Sequence, residues 1–388
     1  MQEVRGSTPL FSTFGRRAFA GRLFYFTILR ISSEKILQAS HLQQNALMQT
    51  NINNQPAFAV VIGASAGGLN ALTELVGQLN NDMDIAVFIV LHLSNTAIGD
   101  YLVQRLQSYT SLTCKKAVND EEIQKGFIYI AQPNRHLLVK KDSIVIGQGA
   151  FENRWRPSID VLFRSAAVAF NTRAIGIILT GFLDDGTAGM LAIKRCGGVC
   201  IAQDPNEAEY PDMPLSVLNN MEVHFVISLA EIGDVIAEII SNPVQQEFHV
   251  PDDIKAESEI AEKVAIGIDN VKELGEQSVY SCPDCGGGLW EITDEKLRRY
   301  RCFTGHSYTE SDLLVKQAEN MEATLWVALR MMEERRNLLK RVEEDAIRKG
   351  FIRISKDHRQ KREDLQRHID KLKEALFSMQ TINLTTEQ

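Results

Sequence analysis

One alternation constrains this chain more than any other feature. From Ala57 to about Ile240, short apolar runs rich in Val and Ile take turns with segments of helical spacing. The runs are AFAVVIG, IAVFIVLHL, GFIYIAQP, AIGIILTG and GVCIAQD, each closed by a polar or glycine-bearing turn. Between them LNALTELVGQL, VLFRSAAVAF and AGMLAIKRC place apolar residues at helical intervals. Strands that are apolar throughout need cover on both faces, and in parallel sheets helices supply it. The pattern predicts an α/β fold with a doubly wound, mainly parallel sheet. HLLVKKDSIVIG reads instead as a hairpin. A chain of 388 residues, 44% of them apolar, holds enough material for this core and for further domains.

The rest of the chain divides by composition. Residues 1–56 read as a poorly ordered N-terminal extension. RRAFAGRLFYFTILRI is basic and apolar like a targeting peptide, but Arg22 and Arg30 punctuate it and no clear small-residue cleavage site is evident. Met48 opens a natural start for an α/β domain, which leaves open whether residues 1–47 belong to the native protein. Residues 57–240 form the main domain, and the acidic, polar stretch 241–280 reads as a linker. Residues 281–310 form a compact Cys/His unit. Residues 311–380 carry two helical runs separated by Gly350. Met321, Leu325, Ala328 and Met332 mark one apolar seam, and Leu365, Ile369, Leu372, Leu376 and Met379 the other. This spacing predicts a helical hairpin or coiled-coil tail, with self-association through it as one use.

The turn after the first strand run, VVIGASAGGLNAL, bears on function. A dinucleotide fingerprint needs a glycine where Ser65 stands, and no Gly-Lys-Ser/Thr follows to make a P-loop. A serine between small neighbours, at a strand's carboxyl end and ahead of a helix, suits a nucleophile as well as a phosphate ligand. His92 closes the next strong run. Ligands of open α/β sheets bind outside the carboxyl ends of the strands, so His92 and Ser65 are expected to share a crevice. TGFLDDGTAGM then offers Asp184 and Asp185, either as caps of the helix that follows or as a carboxylate that orients a histidine. Ser, His and Asp at three strand ends fit acyl transfer better than phosphate binding.

With those pieces in hand, the segment 57–240 resembles the catalytic domain of the chemoreceptor protein-glutamate methylesterases, the CheB type. GASAGG, VLHLS, YIAQPNRHLLV, RPSIDVLFRSAA, ILTGFLDDGTAGM and DMPLSVL match it in order. The resemblance implies that Ser65 is the nucleophile, His92 the general base and Asp185 its carboxylate partner, Asp185 being the aspartate directly before the glycine. It also implies a cleft-shaping role for Arg156. The implied reaction removes methyl esters from glutamate side chains of chemoreceptors or related signalling proteins, with methanol released and glutamine deamidation as a further activity of such enzymes. Ala66, Leu91 and Phe182-Leu183 depart from the family's usual residues without removing a triad member. About 56 residues precede the domain, too few for the receiver domain of the usual family member, so control by aspartyl phosphorylation within the chain is not expected.

CPDCGGGLWEITDEKLRRYRCFTGH is the second strong motif. Cys282, Cys285, Cys302 and His306 form two ligand pairs at the spacing of a closed tetrahedral zinc site, and the unit reads as zinc ribbon-like. Four protein ligands leave no open position, so the expected zinc is structural and no catalytic cofactor is implied. Cys114, Cys196 and Cys200 stand in apolar contexts and are expected to be buried free thiols. The formal net charge of −8 argues against nucleic acid as a partner. The absence of disulfide patterning and of any long apolar run points to a cytoplasmic protein without a membrane span. The partners expected are the methylated cytoplasmic helices of a receptor. A rival reading makes the chain a non-catalytic signalling scaffold on a degenerate esterase fold, and a third makes it a nucleotide-binding domain.

Overall fold

The computed structural model describes residues 54–92, 99–244, 248–262, 275–294 and 297–386; the N-terminal stretch read as an extension lies almost wholly outside them. The main sheet has seven strands in the order β3-β4-β2-β1-β7-β8-β9, all parallel. They are β1 (Phe58–Ala64), β2 (Ile85–Leu91), β3 (Thr113–Lys116), β4 (Phe127–Ile130), β7 (Ala174–Ile178), β8 (Val199–Gln203) and β9 (Phe225–Ile227). β1 and β2 are buried at every residue, as their unbroken apolar sequences require. Ala59, Val61, Phe88 and Val90 face one core, and Val60, Ile62, Val87 and Ile89 the other.

Helices cover both faces. Among them α1 (Gly68–Gly77), α2 (Gly99–Gln107) and α6 (Ile232–Ser241) pack on one side through residues such as Leu72, Leu106 and Ile236. α3 (Ile159–Phe170) and α4 (Thr187–Arg195) pack on the other through Leu162, Phe163, Met190 and Ile193. α5 (Asp212–Asn220) joins that side through Met213 and Val217. Each fully buried Leu, Ile or Phe contributes roughly 1.5–3 kcal/mol, so the two faces carry most of the domain's stability. The expected hairpin is present as β5 (His136–Val139) and β6 (Ile144–Gly147), paired antiparallel. β3 and β9 carry no strong apolar run; TCKK and FVI sit at the sheet's two edges, where one neighbour suffices.

The stretch 241–280 departs from the linker expectation. Asp252–Glu262 is a helix, α7, with Ile254, Glu257, Ile260 and Ala261 buried. A mean composition that is acidic and polar concealed this face, because its central residue is a carboxylate buried by pairing rather than by hydrophobicity. The Cys/His unit begins earlier than residue 281: β10 (Glu276–Ser281), β11 (Gly288–Asp294), β12 (Leu297–Cys302) and β13 (Ser307–Thr309) form a four-stranded antiparallel sheet.

An ionic cluster fastens this unit to the main domain. Arg301 on β12 donates to both carboxylate oxygens of Glu152 at 3.0 and 2.8 Å, and Arg164 on α3 donates to Glu152 at 2.6 Å. Arg299 grips Glu257 of α7 at 2.9 and 2.8 Å, and Arg164 also reaches Glu257 at 2.8 Å. All five side chains are buried. Burial alone would raise the Glu152 pKa; Arg164 and Arg301 outweigh it and bring the group down to about 2. Glu257 is lowered in the same way, with Arg299 and Arg164 outweighing its burial.

The tail is a hairpin of two long helices, α8 (Glu310–Arg348) and α9 (Ile352–Thr386). Gly350 turns the chain between them with φ of 76°. Leu329, Ile369 and Leu376 are buried in its seam, with Leu325, Met332, Leu365 and Leu372 against them. Leu329 is an addition to the expected seam, Met321 is half exposed at 50%, and the side chain of Met379 lies outside the described residues.

Removing one member of a buried ion cluster strands its partners. Glu257→Ala should therefore destabilise the protein by about 3–5 kcal/mol. Because the lowered glutamates contribute stability above their unfolded pKa of about 4.3, the wild-type advantage over Glu257→Ala should hold at pH 7 and shrink as pH falls below it. Urea unfolding of both proteins at pH 7 and pH 3.5 measures this.

Candidate active site

Ser65 and His92 are brought together by strand register. Ala64 pairs with Leu91 at the carboxyl ends of β1 and β2, and Ser65 and His92 are the next residues on the two chains. His92 N donates to Ala64 O at 3.1 Å, and Ser65 N donates to Thr180 O at 3.0 Å. The serine thus stands between the ends of β2 and β7, in the crevice where open α/β sheets hold ligands. The turn after it is closed by Gly68 N donating to Ser65 O at 2.9 Å. Thr180 Oγ1 donates to Ala66 O at 3.1 Å and accepts from Tyr210 N at 2.8 Å, which fixes the turn to the segment before α5.

Asp185 meets the histidine from the loop after β7. Its Oδ2 lies 3.0 Å from His92 Nε2, with both side chains buried. The separation is that of a hydrogen bond, yet neither ring nitrogen completes a well-aligned one among the described residues. Such contacts tighten when substrate binds. The flat face of the imidazole is held by Trp155, whose ring stacks on it at 4.0 Å and 7°.

The carboxylate does not cap its own helix, as one reading of the two aspartates allowed; the N-cap of α4 is Gly186, at φ of 101°. Asp185 instead caps α3 from across the fold. Ile159 N donates to its Oδ2 at 2.7 Å, Asp160 N to its Oδ1 at 3.2 Å, and Ser158 Oγ to its Oδ1 at 2.9 Å. Asn153 Nδ2 adds a donor at 3.0 Å. Burial would raise the Asp185 pKa, but the His92 ring, Ile159 N and Asn153 outweigh it and hold the group below the ordinary carboxylate range. A helix N-terminus favours the anion in the same sense. The neighbouring Asp160 takes the opposite course: burial and the Asp185 charge push it up to about 7.

Gly181 and Leu183 shape the loop beside the serine. A Cβ on Gly181 would lie 2.7 Å from Ser65 Cβ and 2.1 Å from Met213 Sδ, so no side chain fits there. Leu183 adopts φ of 66°, the left-handed region that favours glycine. Arg156, the expected cleft residue, turns to Asn134 Oδ1 at 2.7 and 2.9 Å and to Gly149 O at 2.8 Å, with its guanidinium over the Phe151 ring. Asn153, Trp155 and Ser158 were not legible as site residues. Their neighbourhood to the RPSID motif was the available signal, but neither a stack nor a distant cap has a sequence period.

The start of α8 approaches the same loop. Ser311 Oγ donates to Asp184 Oδ2 at 2.5 Å. Asp312 is buried, its Oδ1 has no hydrogen-bond partner among the described residues, and burial with the Asp184 and Asp185 charges raises it to about 8.

A second constellation lies in the Cys/His unit. The donor atoms of Cys282, Cys285, Cys302 and His306 all lie within 4.8 Å of one another. Cys285 Sγ to Cys302 Sγ is 3.7 Å, Cys282 Sγ to His306 Nδ1 is 3.7 Å and Cys302 Sγ to His306 Nδ1 is 3.5 Å. These three of the six separations match the edges of a tetrahedron whose corners stand about 2.0–2.3 Å from its centre, the bond lengths of zinc to nitrogen and sulfur. The four donors can hold a metal ion. Tyr308 OH backs them, donating to Asp284 Oδ2 at 2.6 Å and lying 3.3 Å from Cys282 Sγ. Cys114, Cys196 and Cys200 are free and buried, and burial pushes their thiols up to about 11, 11 and 12, which keeps them inert.

Residues 60–236 match the model of the CheB methylesterase family. A Leptospira interrogans protein bearing the name protein-glutamate methylesterase/protein-glutamine glutaminase is 38% identical over 191 residues, 48% of this chain and 97% of the relative. A Geobacter metallireducens protein-glutamate methylesterase/protein-glutamine glutaminase is 37% identical over 177 residues, 45% of this chain and 48% of the relative. The crystal structure of the Thermotoga maritima CheB methylesterase catalytic domain is 31% identical, covering 47% of this chain and 98% of that one at a TM-score of 0.46.

Two substitutions test the site. Gly181→Ala should lower esterase kcat at least tenfold by displacing Ser65, while circular dichroism stays native. Asp312→Asn tests the buried carboxyl. Its folded pKa of about 8 stands above the unfolded value of about 3.9, so folding favours the protonated form and wild-type stability falls as pH rises from about 4 to 8. Thermal melts should show Asp312→Asn gaining on wild type between pH 5 and pH 8.5; parallel melts across that range would refute it.

Proposed function

This chain belongs to the CheB methylesterase family, and from that premise we propose that it is a serine hydrolase that removes methyl esters from glutamate side chains. The observation that carries the reading is a buried His92–Asp185 pair beside Ser65 at the carboxyl edge of the sheet. Ser65 is the nucleophile, His92 the general base and Asp185 the carboxylate that orients the ring. With Nε2 turned to Asp185, Nδ1 is the nitrogen left to take the serine proton. Ser65 Oγ attacks the γ-carbonyl carbon and His92 accepts its proton. The tetrahedral adduct collapses, the C–O bond to the methoxy group breaks, and His92 returns the proton to release methanol. Water, deprotonated by His92, then cleaves the glutamyl-serine ester to give the free glutamate. A glutamine amide follows the same path with ammonia as leaving group, a pairing of activities that the relatives' names carry.

CheB-type methylesterases act on methylated chemoreceptors, and the substrate read for this chain is the cytoplasmic methyl-accepting helices of such a receptor or a related signalling protein. A cytoplasmic location goes with that substrate; among the described residues no helix is long and apolar enough to cross a membrane. The hydrolase occupies residues 57–240. Zinc is the metal that three thiolates and an imidazole at tetrahedral edges suit best, and with four protein ligands it supplies folding energy to the Cys/His unit rather than chemistry. Self-association through the helical hairpin completes the reading.

Methyl-labelled receptor membranes should release volatile methanol with wild-type protein and none above background with Ser65→Ala or His92→Ala. A fluorophosphonate should label the wild type and not Ser65→Ala. Release unaffected by Ser65→Ala would overturn the assignment.

A further inference from the structure

The loop 151–155 is held in a conformation it would not choose alone. Asn153 and Arg154 are consecutive residues in the left-handed region, at φ of 49° and 68°, and neither is glycine. Residues keep such geometry where the surroundings over-determine it. The surroundings here come mostly from the C-terminal part of the chain. Asn153 N donates to Ser307 O at 2.8 Å, and Ser307 N donates to Phe151 O at 3.3 Å. Glu152 takes the fork of Arg301. Arg154 donates to Glu319 of α8 at 2.6 Å. Four successive loop residues are gripped from positions 301, 307 and 319.

The same residues face the reacting groups on their other side. Asn153 Nδ2 donates to Asp185 Oδ1 at 3.0 Å and to Asp160 Oδ2 at 2.6 Å. Trp155 covers the His92 ring. Two of the gripping residues directly adjoin metal-site residues: Arg301 precedes Cys302, and Ser307 follows His306.

We propose that the Cys/His unit is a clamp on the active-site loop, fastened by the Glu152–Arg301 fork and the Ser307 backbone pair, with Asn153 and Trp155 as positioning residues that set Asp185 and His92. The inference rests on the hydrolase reading for its catalytic consequence, though the clamp itself is a structural statement. The unit is then more than an appendage that docks elsewhere on the domain: its folding is coupled to the geometry of the His–Asp pair. Trp155 stacked on the His92 ring supplies a direct reporter, because an indole held in fixed packing gives a near-ultraviolet dichroism that a loosened one loses.

The test uses the full-length protein with Glu152→Gln, Asn153→Ala, Trp155→Phe, Trp155→Ala, Arg301→Met and the double variant Glu152→Gln/Trp155→Ala. In wild type, near-ultraviolet dichroism should carry a component from the packed Trp155 indole, and Trp155→Phe should abolish that component. Glu152→Gln and Arg301→Met should each lose most of it while far-ultraviolet dichroism stays native. Against a model methyl ester, Glu152→Gln, Asn153→Ala and Trp155→Ala should lower kcat about ten- to a hundredfold with KM within about twofold. Trp155→Phe, which keeps an aromatic face, should recover most of the rate. The double variant should be no slower than the worse single one, since both changes break one path. An unchanged Trp155 dichroism component in Glu152→Gln, or multiplicative losses in the double variant, would overturn the clamp. Should Arg301→Met fail to fold, the near-isosteric Glu152→Gln decides. A wild type that shows the Trp155 dichroism component, lost in Glu152→Gln, but neither turnover nor Ser65 labelling would sink the hydrolase reading and leave the clamp standing.

Discussion

A carboxylate taken out of water stays ionised only if the protein replaces the water it gave up, and Asp185 is where this chain meets that demand. Two backbone N–H groups at the start of α3, the Ser158 hydroxyl, the Asn153 amide and the His92 ring all converge on it. Each donor comes from a different constraint. The helix supplies its unsatisfied first-turn groups, which would otherwise need a cap of their own. The loop 151–155 supplies the amide, and the end of β2 supplies the imidazole. Remove the carboxylate and the helix end, the loop and the histidine each lose a partner. Asp185 is thus a packing centre as much as the partner of His92.

The charge arrangement around it is graded. Asp185 is kept ionised by donors, whereas Asp160 and Asp312, buried nearby with fewer compensations, are pushed toward the neutral form. Three carboxyl groups in one dry region cannot all carry charge, and the hydrogen bonds decide which one does. Farther out, Glu152 and Glu257 resolve the same problem with arginines. Five charged side chains stacked between the sheet domain, α7 and β12 form a seam that is specific because every member has a counter-ion. A seam of that kind fixes the orientation of the Cys/His unit more tightly than an apolar contact of equal size, since a slip by one residue would strand a buried charge.

Much of this was legible from residue order. Unbroken apolar runs required a parallel sheet covered on both faces, and the seven parallel strands with helices on either side follow from that rule. Ser65, His92 and the Asp184–Asp185 pair could be singled out as candidates because each closes or follows such a run, where the fold concentrates its ligand groups, and the family resemblance implied Asp185 of the two. The cysteine and histidine spacing announced four donors for one ion. What escaped notice shares one property. The α7 helix, the Asn153 amide, the Trp155 stack and the Asp185 cap of a distant helix all depend on partners far along the chain. The stretch 241–280 looked like a linker because its buried face is built on Glu257, and a carboxylate reads as surface until its arginines are known.

By itself the sequence determined the sheet's interior, the positions of the strand ends and the residue types placed at them, because backbone periodicity and side-chain burial act locally and repeat. Tertiary structure alone decided that Asp185 caps a distant helix, which way Arg156 turns, and that the C-terminal unit holds the loop beside His92 and Asp185. Those outcomes are set by desolvation and by the geometry of donors across long separations. Neither quantity exists until the chain has closed on itself.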